Sequence, residues 1–141
     1  MAAADVIDAY VTSLPGQTRR LAHTEWGITL TPESAGGWPC DMGVRIDDGM
    51  VRAQAFALPA QDGLDPWVFL QWNRQTRYVR MASTRSGDIW VMGDAPVAGL
   101  DERAVDRLLG LVVEGVLAVR GYANAVANPQ PAEPGGWLSA P

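Results

Sequence analysis

The stretch from Cys40 to Leu58 most restricts what this chain can become. Cys40, Met42, Val44 and Ile46 alternate with Asp41, Arg45 and Asp47, and Val51, Ala53, Ala55 and Ala57 alternate with polar Arg52 and Gln54. A period of two is the signature of a strand with one buried face. Asp48-Gly49 lies between the runs and is a tight-turn pair. Cys40–Asp47 and Met50–Leu58 therefore form a hairpin, and the sheet containing them is largely antiparallel. The small side chains of the second strand let a helix lie close to it.

The remaining segments arrange themselves around this hairpin. Asp5–Leu14 predicts a helix, capped by Asp5, with Ile7, Tyr10, Val11 and Leu14 on one face and Pro15-Gly16 ending it. Leu21–Leu30 reads as the first strand, with Trp26, Ile28 and Leu30 on one side and His23, Glu25 and Thr29 on the other. A loop, Thr31–Pro39, carries Trp38. After the hairpin, Leu64–Thr76 predicts a central helix capped by Asp65, with Pro66 at its first position and Leu64 stapled to Phe69. Its apolar residues Trp67, Val68, Phe69, Leu70 and Trp72 occur nearly all round, which implies cover on two sides. Trp67, Phe69 and Trp72 are accordingly the expected dimer interface, with one side of the helix on its own sheet and the other on a second copy.

Arg77–Ser83 and Ile89–Met92 form a second hairpin through Ser86-Gly87-Asp88, and Gly93–Gly99 is a loop. A long helix from about Glu102 to Ala123 follows, capped by Asp101. Its stripe is Val105, Leu108, Leu109, Val112, Val116 and Val119, interrupted by Gly110 and Gly115, which permit close backbone approach. Trp26, Trp67 and Trp90 sit in apolar patterns and are assigned largely to the core. The expected order is α-β-β-β-α-β-β-α, an α+β fold with an antiparallel sheet and helices on one face. One domain spans residues 1–127, and 128–141 is a Pro/Gly-rich tail whose apolar pair, Trp137-Leu138, could dock on a groove.

Composition narrows the function. The chain has 141 residues, a net charge of −5 and 48% hydrophobic residues, which fits one soluble domain and argues against a nucleic-acid binder. Cys40 is the sole cysteine, so no internal disulfide forms. The N-terminus lacks a signal-peptide pattern, and the apolar run Leu108–Val119 is interrupted and shorter than a bilayer span. A cytoplasmic protein without membrane contact is expected.

Catalytic signals are weak. His23-Thr24-Glu25 followed by Pro39-Cys40-Asp41-Met42-Gly43 approaches the zinc-deaminase pattern, but Gly43 stands where the second cysteine is required. Cys40 with His23 as nucleophile and base competes with a buried core cysteine. Phosphate-binding and nucleophile-elbow motifs are absent. No cofactor, no metal and no enzyme activity are expected. The stronger pattern is a set of polar strand positions, His23, Glu25, Arg45, Arg52, Gln54 and Arg80, that would share the sheet face away from the helices. Such a face is either solvated or a surface for a protein partner.

Four stretches, HTEWGITL (His23–Leu30), VRIDDGMVRAQAF (Val44–Phe56), LDPWVFLQWNR (Leu64–Arg74) and SGDIWV (Ser86–Val91), resemble the YbjN-like family of proposed bacterial sensory transduction regulators. That family is similar in fold to type III secretion chaperones, whose element order this chain also matches. The resemblance covers about Asp5–Tyr122. It implies a dimeric, non-enzymatic module that binds a protein partner as a chaperone or adaptor, and it carries no catalytic residues. The alternative is a small-ligand-binding sensor domain with its ligand between sheet and helices.

Overall fold

The computed structural model describes residues 2–129. Its elements are helix α1 (Ala3–Thr12), strands β1 (Gln17–Ala22) and β2 (Glu25–Leu30), a short 3₁₀ turn (Pro32–Ser34), strands β3 (Cys40–Asp47) and β4 (Met50–Leu58), helix α2 (Pro66–Gln75), strands β5 (Val79–Ser83) and β6 (Ile89–Pro96), and helix α3 (Glu102–Ala127). Six strands form one sheet in the order β1-β2-β3-β4-β6-β5, and every neighbouring pair is antiparallel. The fold is the expected α+β sandwich with one strand more.

That extra strand comes from the segment read as the single strand Leu21–Leu30. The chain instead turns at His23-Thr24, and β1 runs back along β2, with Arg20 opposite Trp26 and Gln17 opposite Thr29. A bulge at Leu21 breaks the alternation that would have announced β1. Entry to β1 depends on Gly16 (φ +117), where a side chain would strike the Thr29 carbonyl. The β3–β4 turn forms as expected. Asp48 and Gly49 both have positive φ, as the tightest hairpin turn requires.

All three helices pack on one face of the sheet. α3 crosses β4 and β6, and buries Val105, Leu108, Val112, Val116 and Val119 on them. The alanine face of β4 permits this approach, since Ala53, Ala55 and Ala57 are all fully buried. A β4 bulge between Phe56 and Leu58 turns both Ala57 and Leu58 into the core. Gly115 is the point of closest contact, because a β-carbon there would lie 2.7 Å from Val91 Cγ1. Gly110 faces open space and has no such role, contrary to the sequence expectation. As folded, α3 has 26 residues and is long and apolar enough to cross a membrane, unlike the interrupted run counted from sequence. Its apolar stripe lies on the sheet.

α1 begins at Ala3, two residues before the expected cap, and inserts Ile7 and Val11 beside α3. Asp8 accepts a hydrogen bond from the Trp26 indole at 3.0 Å, which orients the largest buried side chain. Tyr10 donates to Asp106 and ties α1 to α3. Burial first, and then this carboxylate, push the Tyr10 phenol well above its ordinary pKa.

The loop before β3 is held by a buried arginine. Arg120 of α3 donates to the carbonyls of Ala57, Ala35, Trp38 and Pro39 at 2.6–3.0 Å. Its guanidinium lies 4.4 Å from the Trp38 ring centroid. Carbonyl oxygens and an aromatic face thus replace the water lost on burial.

Candidate functional site

The opposite face of the sheet is uncovered among the described residues. Alternation carries one parity of every strand to this face, and register fixes the neighbours. Glu25, Arg45, Arg52 and Asp94 form one row across β2, β3, β4 and β6. Gly27, Gly43, Gln54, Met92 and Arg80 form the next, and Phe56, Trp90 and Ala82 a third. Five of the six positions expected to share a face therefore do so. His23 does not; it is exposed in the β1–β2 turn, with its ring 3.4 Å from Arg20.

Charge on this face is organised around Asp94. Its two carboxylate oxygens accept from Arg52 Nε at 2.7 Å and Arg80 Nη1 at 2.8 Å. Partial burial works to raise the Asp94 pKa, but the two arginine hydrogen bonds outweigh it and hold the carboxyl below its ordinary value. Arg45 is exposed between Glu25 and Arg52, and makes no ion pair among the described residues. Beside these charges, Phe56 and Trp90 pack edge to face at 5.5 Å and remain half-buried with Met92. Gly43 leaves a small opening on this face, since a side chain there would meet nothing, whereas Gly27 lies beneath the Arg19 and Leu21 side chains.

Asp94, Phe56, Trp90 and Met92 were not among the sequence candidates. β6 extends to Pro96, so Asp94 lies in a strand and not in the expected loop. Continuing the Trp90–Met92–Asp94 alternation would have found it. Trp90, assigned to the core from sequence, faces outward because its parity matches Arg52, not Val91.

The central helix also differs from expectation. α2 is not apolar all round: Gln71, Arg74 and Gln75 give it an exposed polar side. Phe69 is buried against Trp72 and Tyr122 of its own chain, so it is removed from the expected dimer interface. Trp72 is half-buried in the same aromatic cluster. Trp67, expected to be largely core, is 75% exposed. The expected cap is present, with Asp65 accepting from the Trp67 amide at 3.0 Å.

The chemical alternatives lose their geometry. Cys40 pairs with Leu30 at one end of β2, whereas His23 precedes Glu25 at the other end. The intervening five strand residues span roughly 17 Å, too far for a nucleophile and its base or for two ligands of one metal. Burial pushes the Cys40 thiol up, with nearby Arg120 opposing, which disfavours the reactive thiolate. Among the described residues no cluster of His, Cys, Asp and Glu could hold a metal ion.

No protein-family model matches the sequence, and no curated protein matches it in sequence. Solved structures do match in fold. The Yersinia pestis type III secretion chaperone SycH, in complex with a stable fragment of YscM2, superposes with a TM-score of 0.61 at 10% identity, covering 83% of this chain and 98% of the matched one. The HopA1–SchA chaperone–effector complex gives 0.65 at 12%, covering 83% and 91%. A six-stranded antiparallel sheet with all helices on one face thus defines a type III secretion chaperone-like fold. The same fold occurs in YbjN, a proposed transcription regulator from E. coli, with a TM-score of 0.59 at 13% identity, covering 86% of this chain and 91% of that one.

Proposed function

We propose that this protein is a non-enzymatic, protein-binding module, a chaperone or an adaptor in a bacterial regulatory pathway, that acts from the cytoplasm as a homodimer. The uncovered sheet face carries this reading. It sets half-buried Phe56, Trp90 and Met92 beside Arg45, Arg52, Gln54 and Arg80, with Glu25 at its margin. Aromatic and arginine side chains at the centre of a surface are the usual anchors of a protein interface. Neighbours in fold include the chaperone SycH bound to a fragment of YscM2 and the HopA1–SchA chaperone–effector complex, which supports the same assignment.

Charge reversal at Arg45 tests this best, because among the described residues Arg45 makes no ion pair whose loss would unfold the chain. Arg45→Glu should abolish co-purification of the partner while leaving the melting temperature unchanged. Retention of the partner by a folded Arg45→Glu protein contradicts the role of this face. The dimer is assigned to exposed Trp67, together with the half-buried Trp72. Trp67→Glu should yield a folded monomer by light scattering, and an unchanged dimer contradicts that assignment.

The small-ligand alternative has one observation in its favour. A groove of about 530 Å3 lies between α2 and the β5–β6 hairpin, within the ~300–1,000 Å3 usual for ligand sites. A melting shift with metabolites would favour it.

A further inference from the structure

Only two residues, Arg77 and Tyr78, carry the chain from the C-cap of α2 at Thr76 into β5. The reversal is made at Tyr78, which has φ +66. Across it the Val79 N–H donates to the Arg77 carbonyl at 2.8 Å. A three-residue turn closed at positive φ is the rarer, strained hand of γ-turn, and a residue with a bulky side chain is poorly suited to it. Gly93 on β6 makes room for the turn, since a β-carbon there would lie 2.8 Å from the Tyr78 carbonyl oxygen.

The strained residue is not buried in return: Tyr78 is 51% exposed. Strand alternation would set it beside Asp94 on the open sheet face, because Val79 pairs with Gly93. Its ring lies instead under Arg107 of α3, with the guanidinium 5.0 Å from the ring centroid. Stacking occupies the face of a guanidinium and leaves its in-plane N–H groups able to donate. Arg103 stands one turn before Arg107 on α3, and Arg77 lines a neighbouring recess together with Arg107. Among the described residues, which exclude the tail pair Trp137-Leu138, no carboxylate pairs with any of these three arginines. Asp101 lies nearby, but its Oδ1 caps α3 by accepting from the Ala104 amide at 2.9 Å. Beside Tyr78, Arg103 and Arg107 opens a recess of about 320 Å3 whose apolar wall includes Pro96, Leu100 and Leu108.

We propose that this recess binds an acidic segment of a partner protein, with a carboxylate on Arg107 and an adjacent apolar side chain against Leu100 and Leu108. A carboxylate matches the paired, parallel donors of a guanidinium. The apolar wall calls for a carbon side chain next to that carboxylate, which a bare anion lacks. A chain of net charge −5 repels nucleic acid. Tyr78 is a positioning residue that holds the Arg107 donors outward. The site is separate from the open sheet face and does not use Arg45.

The test is a nuclear magnetic resonance titration of the full chain with a blocked peptide, acetyl-Glu-Leu-Glu-Phe-amide, followed at arginine Nε–H and backbone amide signals. Binding with a Kd of about 1 mM should move the Arg107 Nε–H and the amides of Ala98, Gly99 and Ala104. The glutamine counterpart of the peptide, and acetate alone, should bind about tenfold more weakly. Arg107→Gln should lose about tenfold in affinity, and Arg45→Glu nothing. Tyr78→Gly relieves the turn, so the chain should stay folded, yet affinity should fall roughly threefold with the loss of the stacked ring. Tyr78→Phe keeps the ring and should bind as the natural protein does. No shift at the recess, equal binding of the glutamine peptide, or full affinity in Arg107→Gln overturns the proposal. Shifts confined to Gln54 and Met92 do so as well, as does acetate or a single-stranded oligonucleotide that binds as tightly as the peptide.

Discussion

The side chain of Asn73 grips the backbone of Met81 from both directions. Its amide donates to the Met81 carbonyl at 3.0 Å, and its carbonyl accepts the Met81 N–H at 2.8 Å. β5 is an edge strand, so these Met81 groups have no strand to pair with. α2 thus supplies a side chain in place of a neighbouring strand, and Thr76 adds a bond to the Val79 carbonyl at 2.7 Å. The other edge, β1, is mostly exposed and carries Arg19, Arg20 and a bulge, devices that discourage unwanted pairing.

Asn73→Ala should consequently loosen α2 and uncover the β5 edge. The expected loss is about 1–3 kcal/mol, from a buried donor and acceptor left unpaired. Urea unfolding measures the loss, and light scattering should show faster aggregation than for the natural protein. Equal stability and equal aggregation would mean the Asn73 bonds are replaced by water.

The two glycines of α3 should respond oppositely to alanine. Gly110 is exposed with open space beyond it, so Gly110→Ala gains helix propensity of about 0.5–1 kcal/mol. Gly115→Ala drives a methyl against Val91 and should cost roughly 1–3 kcal/mol. Thermal melting of the two variants checks the opposite signs.

Arg120 should tolerate no substitution easily. Lysine keeps the charge but cannot direct donors at four carbonyls in a planar fan. Arg120→Lys should lose roughly 2–4 kcal/mol, as a buried charge and several carbonyls go unpaired. Limited proteolysis should cut first between Ala35 and Pro39, the loop whose carbonyls it holds.

Acid should weaken the protein partly through Asp94. Its pKa is lower folded than unfolded, so in acid the unfolded chain binds more protons. The stabilisation is complete above the unfolded value of roughly 3.9 and drains away as pH falls through the folded one. Both arginines are partly solvated, so the effect is modest, about 1 kcal/mol. Asp94→Asn should remove that part of the pH dependence. Urea unfolding at pH 7 and pH 3 measures it, and an unchanged slope with pH contradicts the pairing.

The elements legible in the sequence were those with uninterrupted periodicity. The β3–β4 hairpin, with Asp48-Gly49 at its turn, and the α3 stripe follow from alternation and helical spacing alone. β1 was hidden because the bulge at Leu21 and the polar content of Gln17–Arg20 erase a strand's alternation. α2 was misjudged because its count of aromatic residues does not reveal which side meets Tyr122, a contact 53 residues away from Phe69 in the chain. On the sheet face, parity alone brought together Glu25, Arg45, Arg52, Gln54 and Arg80. Asp94 was lost through a strand end set too early, and His23 was misplaced through a turn read as strand.

The central claim, that the open sheet face meets a protein partner, is tested most directly by site-specific photo-crosslinking in living cells. A benzophenone amino acid at Gln54, in the middle of that face, is compared with the same residue at Ala118, exposed on α3. The account predicts a covalent adduct with a different protein from position 54 and none from position 118. Adducts from position 118 alone, or none beyond a second copy from position 54, would contradict it.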